Sequence, residues 1–124
     1  MSSMNAPLNV RVLDNIGLAT PIAARQPRIE DGRVGHDKNL DRIWQVADSA
    51  VDLEQLPEWI DKEDAKAARA ALETEEFQKL FATYRDPLTV KRFLANIAFS
   101  LSDGRTMQLS SDPYDYLPEN FSER

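Results

Sequence analysis

The spacing of apolar residues divides this chain into a helical middle and two ends that lack such a period. Between residues 37 and 104, apolar side chains recur at three- and four-residue intervals, the spacing that collects them on one face of a helix. Leu40, Ile43, Trp44, Ala47 and Val51 form the first stripe, with Asp37 or Asn39 as its N-cap. Pro57 suits the first turn of a short helix carrying Trp59 and Ile60. Asp61, with Asp64 three residues on, opens a third segment whose Ala65, Ala68 and Leu72 make a small-residue face for close packing. Thr74 caps a fourth helix, where Phe77, Leu80, Phe81 and Tyr84 recur at i, i+3, i+4 and i+7, the strongest periodic signal in the chain. Asp86-Pro87 ends that helix and starts another with proline at its first position.

The next stretch fits two patterns. As a helix, Val90, Phe93, Leu94, Ile97 and Leu101 form one stripe and Gly104 supplies the stop. As a strand, Phe93, Ala95, Ile97, Phe99 and Leu101 alternate with small or polar residues, and Asp103-Gly104 turns a hairpin into Met107 and Leu109. Capping at both ends favours the helix. The expected fold class is therefore mainly α, a small single-domain bundle of four or five short helices with extended N- and C-terminal arms. The alternative is α+β, with a small C-terminal hairpin pairing with a strand at 8-13.

Residues 1-36 read as an extended N-terminal arm, 37-110 as the helical core domain and 111-124 as an acidic-aromatic C-terminal tail. The arm holds three of the seven prolines and three of the four glycines. In it, Leu8, Val10 and Val12 alternate with Asn9 and Arg11 as one short strand. Asp31-Gly32, between Ile29 and Val34, is a turn signal. In the tail, Pro113 and Pro118 forbid a continuous helix. Burying Tyr114, Tyr116, Leu117 or Phe121 is worth roughly 1.5–3 kcal/mol each, so these side chains either close over the chain's own core or dock on a partner.

Length and composition narrow the class. A chain of 124 residues with 42% hydrophobic and 29% charged residues supports one core without disulfides, and it has no cysteine. Lack of cysteine fits a reducing compartment. No apolar run approaches the roughly 18–20 residues of a membrane span, and the N-terminus has neither the basic nor the apolar region of a leader. These features predict a cytoplasmic protein with no membrane contact. The net charge of −6 argues against direct nucleic-acid binding. Residues 48–76 hold ten acids against three bases, whereas residues 77–110 carry a net positive charge. The acidic stretch reads first as a solvated face and otherwise as a surface for a basic partner.

Little catalytic equipment is visible. The single histidine, His36, lies in a loop sequence before a helix, and no Gly-x-Ser-x-Gly elbow accompanies it. Asp48/Asp52 and Asp37/Asp41 sit four apart, but the Glu-x-x-His pattern of di-iron bundles is missing, so no metal and no cofactor is expected. Arg85, Lys91 and Arg92 beside Tyr84 balance neighbouring acids or hold an acidic ligand. Trp44 and Trp59 each lie on an apolar stripe and read first as core positions, and otherwise as exposed interface anchors.

These features predict a non-catalytic protein–protein interaction module, a small accessory or regulatory subunit bound to a larger protein partner, and not an enzyme. The contact residues expected are Tyr114, Tyr116, Leu117 and Phe121, with Glu73, Glu75 and Glu76. The alternative is an acidic inhibitor or anti-factor covering a basic, nucleic-acid-binding site of its target. A small ligand-binding protein or enzyme comes third.

Overall fold

The computed structural model describes Pro7, Val12 and residues 14–121. Among these residues the protein is helical and has no strand. The elements are α1 (Pro21–Ala24), α2 (Arg42–Ser49), α3 (Lys62–Leu72), α4 (Glu75–Arg85), α5 (Val90–Leu101) and α6 (Asp103–Thr106), followed by a 3-10 turn at Pro113–Tyr116. The hairpin alternative does not form, because residues 93–106 run as α5 and α6. The strand expected at 8-13 lies outside the described residues apart from Val12.

The core is built around Trp44 of α2. Its ring stacks on Phe77 of α4 at 5.3 Å, and Tyr116 of the 3-10 turn meets both rings edge-on, at 6.2 and 5.0 Å. Trp44 is fully buried, so its indole N–H needs a partner; it donates to the Ser111 carbonyl at 3.0 Å. The Tyr116 hydroxyl in turn accepts the Ser110 amide at 2.6 Å. Two aromatic side chains thus fasten the backbone at 110–111 to the helices.

Helix α3 is the central packing element, touching α2, α4 and the 3-10 turn. Its buried face is nearly all alanine (Ala65, Ala67, Ala68 and Ala71) with Leu72 at the end. Short side chains let three neighbours approach one helix closely. Arg69, on the same helix, closes the C-terminal end of α2: its Nε donates to the Ala47 carbonyl at 3.0 Å and a terminal nitrogen to that of Ala50.

The arm packs into this core through Ile22 and Ala23 of α1. Pro21 opens that single turn, a helix that the sequence pattern does not show. Just before it, Asp14 gathers the backbone amides of Ile16, Gly17, Ala19 and Thr20. Gly17 has φ +93°, and a Cβ there would come within 2.6 Å of the Ala24 backbone nitrogen, so only glycine fits.

Several boundaries differ from the sequence pattern for local reasons. The α2 cap is Asp41, which accepts the Ile43 amide at 2.8 Å. Asp37 is instead held by Arg28, and the Asn39 side chain accepts from that of Asn15. Val51 falls past the end of α2 and is fully exposed. Pro57–Ile60 is a turn closed by the Ile60 amide on the Pro57 carbonyl, not a helix. Thr74 stands before α4, but its hydroxyl donates to the Ala71 carbonyl and so completes α3. Thr89 caps α5 by accepting the Arg92 amide at 3.1 Å, which leaves Pro87 in the linker. Gly104 sits inside α6 and does not stop a helix, and a Cβ there would fall 2.4 Å from the Phe99 ring.

Helix α5 is oriented against its own pattern. Its apolar stripe exists, but Val90, Phe93, Leu94, Ile97 and Leu101 are all exposed and the helix buries no residue fully. Asn96 faces the domain, donating to the Thr83 carbonyl at 2.8 Å, and Arg92 pairs with Asp86.

Truncating Tyr116 to alanine is expected to cost about 3–5 kcal/mol of stability, and Tyr116→Phe, which removes only the amide's acceptor, about 1 kcal/mol. Urea unfolding of both variants separates packing from hydrogen bonding. For Asp14, burial opposes ionisation, but the four amides outweigh it and hold the carboxyl below its ordinary value of 3.8. A depressed folded value means that the carboxylate stabilises the protein fully above the unfolded value, and that this is lost as pH falls through the lower folded one. The stability advantage of the native chain over Asp14→Asn should therefore shrink between about pH 5 and pH 2. A gap that does not change over this range would contradict the assignment.

Candidate functional site

Three helical N-termini meet at one open cleft of about 460 Å³. Asp41 caps α2, Asp61 caps α3 through the Glu63 and Asp64 amides at 2.9 and 3.0 Å, and Asp112 caps the 3-10 turn through the Tyr114 amide at 2.9 Å. All these bonds use Oδ1, so each carboxylate keeps a second oxygen for other donors. Asp64, on the same wall, accepts the Tyr114 hydroxyl at 3.1 Å.

Trp59 forms the apolar side of this cleft and is 68% exposed. The turn at Pro57–Ile60 buries Ile60 and so turns Trp59 outward. The Arg42 guanidinium lies 5.5 Å from the centre of the Trp59 ring, a cation–π contact that steadies the indole. An indole plane beside carboxylate oxygens and a guanidinium can take a polyhydroxyl ligand, whose C–H face packs on the ring while its hydroxyls donate to the acids. Partial burial, and then the Asp64 carboxylate, push the Tyr114 phenol above its ordinary value. It therefore remains a protonated donor at neutral pH.

The residues expected from sequence fall in different places. Tyr116 is part of the aromatic core, whereas Tyr114 borders the cleft through Asp64. Leu117 and Phe121 are half-buried. Glu73 follows α3, and Glu75 and Glu76 lie in the first turn of α4, where Glu75 pairs with Lys79 at 2.8 Å. None of these three glutamates lines the Trp59 cleft. His36 is exposed in its loop. Trp44 is core as expected; Trp59 is not. Of the three capping aspartates the sequence pattern picks out Asp61 alone, and their convergence depends on how α2, α3 and the tail pack.

The family model described as the AftB family C-terminal domain matches residues 1–119. The chain belongs to that family. It is 56% identical over 119 residues to a terminal β-(1→2)-arabinofuranosyltransferase of Corynebacterium glutamicum, an alignment covering 96% of this chain and 17% of the relative. It is 39% identical over 102 residues to the protein of the same name from Mycobacterium tuberculosis, covering 81% of this chain and 16% of the relative. The AftB-family domain thus spans about a sixth of the length of these relatives. No solved structure matches it.

Membership corrects several expectations. The reading as a non-catalytic accessory or regulatory subunit is overturned, as is that of an acidic inhibitor, since the relatives are glycosyltransferases and this chain corresponds to their C-terminal domain. "Not an enzyme" fails with them: a catalytic centre need not be visible in a sixth of the polypeptide. The acids that suggested a mimic are largely engaged within the fold, Asp48 with Arg85, Glu54 and Glu63 with Lys66, and Asp61 as a cap. The cytoplasmic placement and the exclusion of a membrane are corrected too. Both rested on the absence of an apolar span and of a leader, and such absences decide nothing for a chain that spans about a sixth of the length of its transferase relatives. Among the described residues no helix is long and apolar enough to cross a membrane, which describes this domain alone.

Proposed function

We propose that this protein acts as the C-terminal domain of a membrane-associated enzyme that adds terminal β-(1→2)-linked arabinofuranosyl residues, and that its Trp59 cleft holds the furanoside chain being extended. The observation that carries the first part is 56% identity over nearly the whole chain to an enzyme of that name. The cleft supports the second part. A furanose ring has an apolar face for Trp59 and hydroxyls for the free oxygens of Asp41, Asp61 and Asp112, and Arg42 can donate to a ring or glycosidic oxygen. Titrating the chain with an arabinofuranosyl oligosaccharide that lacks the terminal β-(1→2)-linked residue should perturb Trp59 fluorescence, and Trp59→Ala should weaken binding by roughly tenfold, about 1.4 kcal/mol. Unchanged affinity in that variant would remove the cleft from the proposal.

In this reading α5 is the face on which the domain rests against the rest of the same polypeptide. Relatives are about six times as long as the aligned segment, so most of each relative lies outside this domain. Among the described residues, nothing buries the α5 stripe, and the helix turns Asn96 rather than leucine toward its own domain. A contiguous exposed apolar stripe of this kind marks an interaction surface. Phe93→Glu combined with Ile97→Glu should leave the melting temperature of this chain within a few degrees, as surface substitutions do. The same pair should lower the melting temperature and activity of the full-length enzyme. Vesicle binding by the isolated chain that the double variant abolishes would instead assign the stripe to lipid.

A further inference from the structure

The segment after α1 and the segment containing α6 enclose a pocket of about 360 Å³. The backbone joins the two walls, with the Leu109 amide donating to the Arg25 carbonyl at 2.9 Å. Four cations line it, Arg25, Arg28, Lys38 and Arg105. Asp37 neutralises Arg28. Among the described residues the other three form no salt bridge: Arg25 donates to the Pro21 carbonyl at 3.3 Å and Lys38 to that of Ala24, and Lys38 lies in the field of the same Asp37. In a chain of net charge −6, four cations against the single carboxylate of Asp37 run against the overall balance.

A second observation points to a ligand. Gln26 lines the same pocket and is 3% exposed, yet neither its Oε1 nor its Nε2 has a hydrogen-bond partner. The Nε of Arg25 is buried and unpaired beside it in sequence. Buried polar atoms are almost always satisfied, so three orphans within two consecutive residues imply a missing partner.

The orphans specify its chemistry. Arg25 Nε and Gln26 Nε2 need an acceptor, the cations need negative charge, and Gln26 Oε1 needs a donor. A carboxylate or sulfate supplies acceptors and charge but no donor at neutral pH. A phosphate that carries a hydroxyl, or has one on its ester group, supplies all three.

We propose that this pocket binds a hydroxyl-bearing phosphate group, with Arg25, Lys38 and Arg105 meeting its charge and the Gln26 amide both donating to it and accepting from it. The inference stands apart from the transferase reading, since it rests on residues of another face.

The test is an NMR titration of the whole chain with inorganic phosphate, following the Gln26 side-chain amide, with sodium sulfate at equal ionic strength as comparison. The expected result is a saturable shift of that amide by phosphate, with sulfate at least several-fold weaker. Arg105→Gln, an exposed substitution, should weaken phosphate binding roughly tenfold. Gln26→Leu should raise the melting temperature of the free chain, because the two side-chain orphans of Gln26 disappear, while abolishing the preference for phosphate over sulfate. Vesicles containing phosphatidic acid or phosphatidylglycerol distinguish the source. Gln26-dependent binding to vesicles without a response to inorganic phosphate supports the site with a lipid headgroup as ligand, and a response to inorganic phosphate supports it with a soluble one. No response to either, or equal affinity for sulfate and phosphate, overturns the proposal.

Discussion

The stack of Trp44, Phe77 and Tyr116 is the contact on which the rest of the domain depends, because it joins directly three parts of the chain that are far apart in sequence. Trp44 comes from α2, Phe77 from α4 and Tyr116 from the tail. A tryptophan this deeply buried must satisfy its indole N–H, and only the backbone at Ser111 does so here. The hydrogen bond therefore converts apolar packing, which is non-directional, into a fixed path for residues 110–116. Once that path is set, Asp112 stands beside the starts of α2 and α3, and Tyr114 reaches Asp64. The Trp59 cleft is a consequence of core packing on its far side.

Alanine plays the complementary part. The face of α3 carries almost no side-chain volume, so α2, α4 and the 3-10 turn can all lie against it. Stability in this small domain comes from aromatic area over a thin alanine layer, with Arg69 closing the end of α2 where that layer would otherwise leave carbonyls unpaired. Charge is handled in the same economical way. The acidic run between 48 and 76, which looks like a binding surface when read linearly, is divided among helix caps and ion pairs.

Helix α5 is the exception to this self-sufficiency. A helix with an apolar stripe normally turns it inward, but here the inward side carries Arg92 and Asn96 and the stripe faces out. Under the proposed docking of α5 that orientation has a reason: a domain that rests against more polypeptide divides its apolar surface between its own core and the neighbour's. The absence of catalytic motifs follows the same logic. A chain that spans about a sixth of its relatives' length need not carry a catalytic motif.

By itself the sequence determined the helical class, the positions of α3 and α4 and the amphipathic stripe of α5, because these depend on period and on residue size within one turn or two. It also marked Trp44 and Phe77 as core positions and Asp61 as a cap. Only the tertiary structure decided the rest. The α2 cap fell to Asp41 because Arg28 engages Asp37 and Asn15 engages Asn39. Trp59 turned outward because one short turn cannot bury both it and Ile60. Which way α5 faces, and which aspartates share a cleft, are questions of distance between residues far apart in the chain. Local periodicity contains no information about such distances; the aromatic stack and the alanine face of α3 set them.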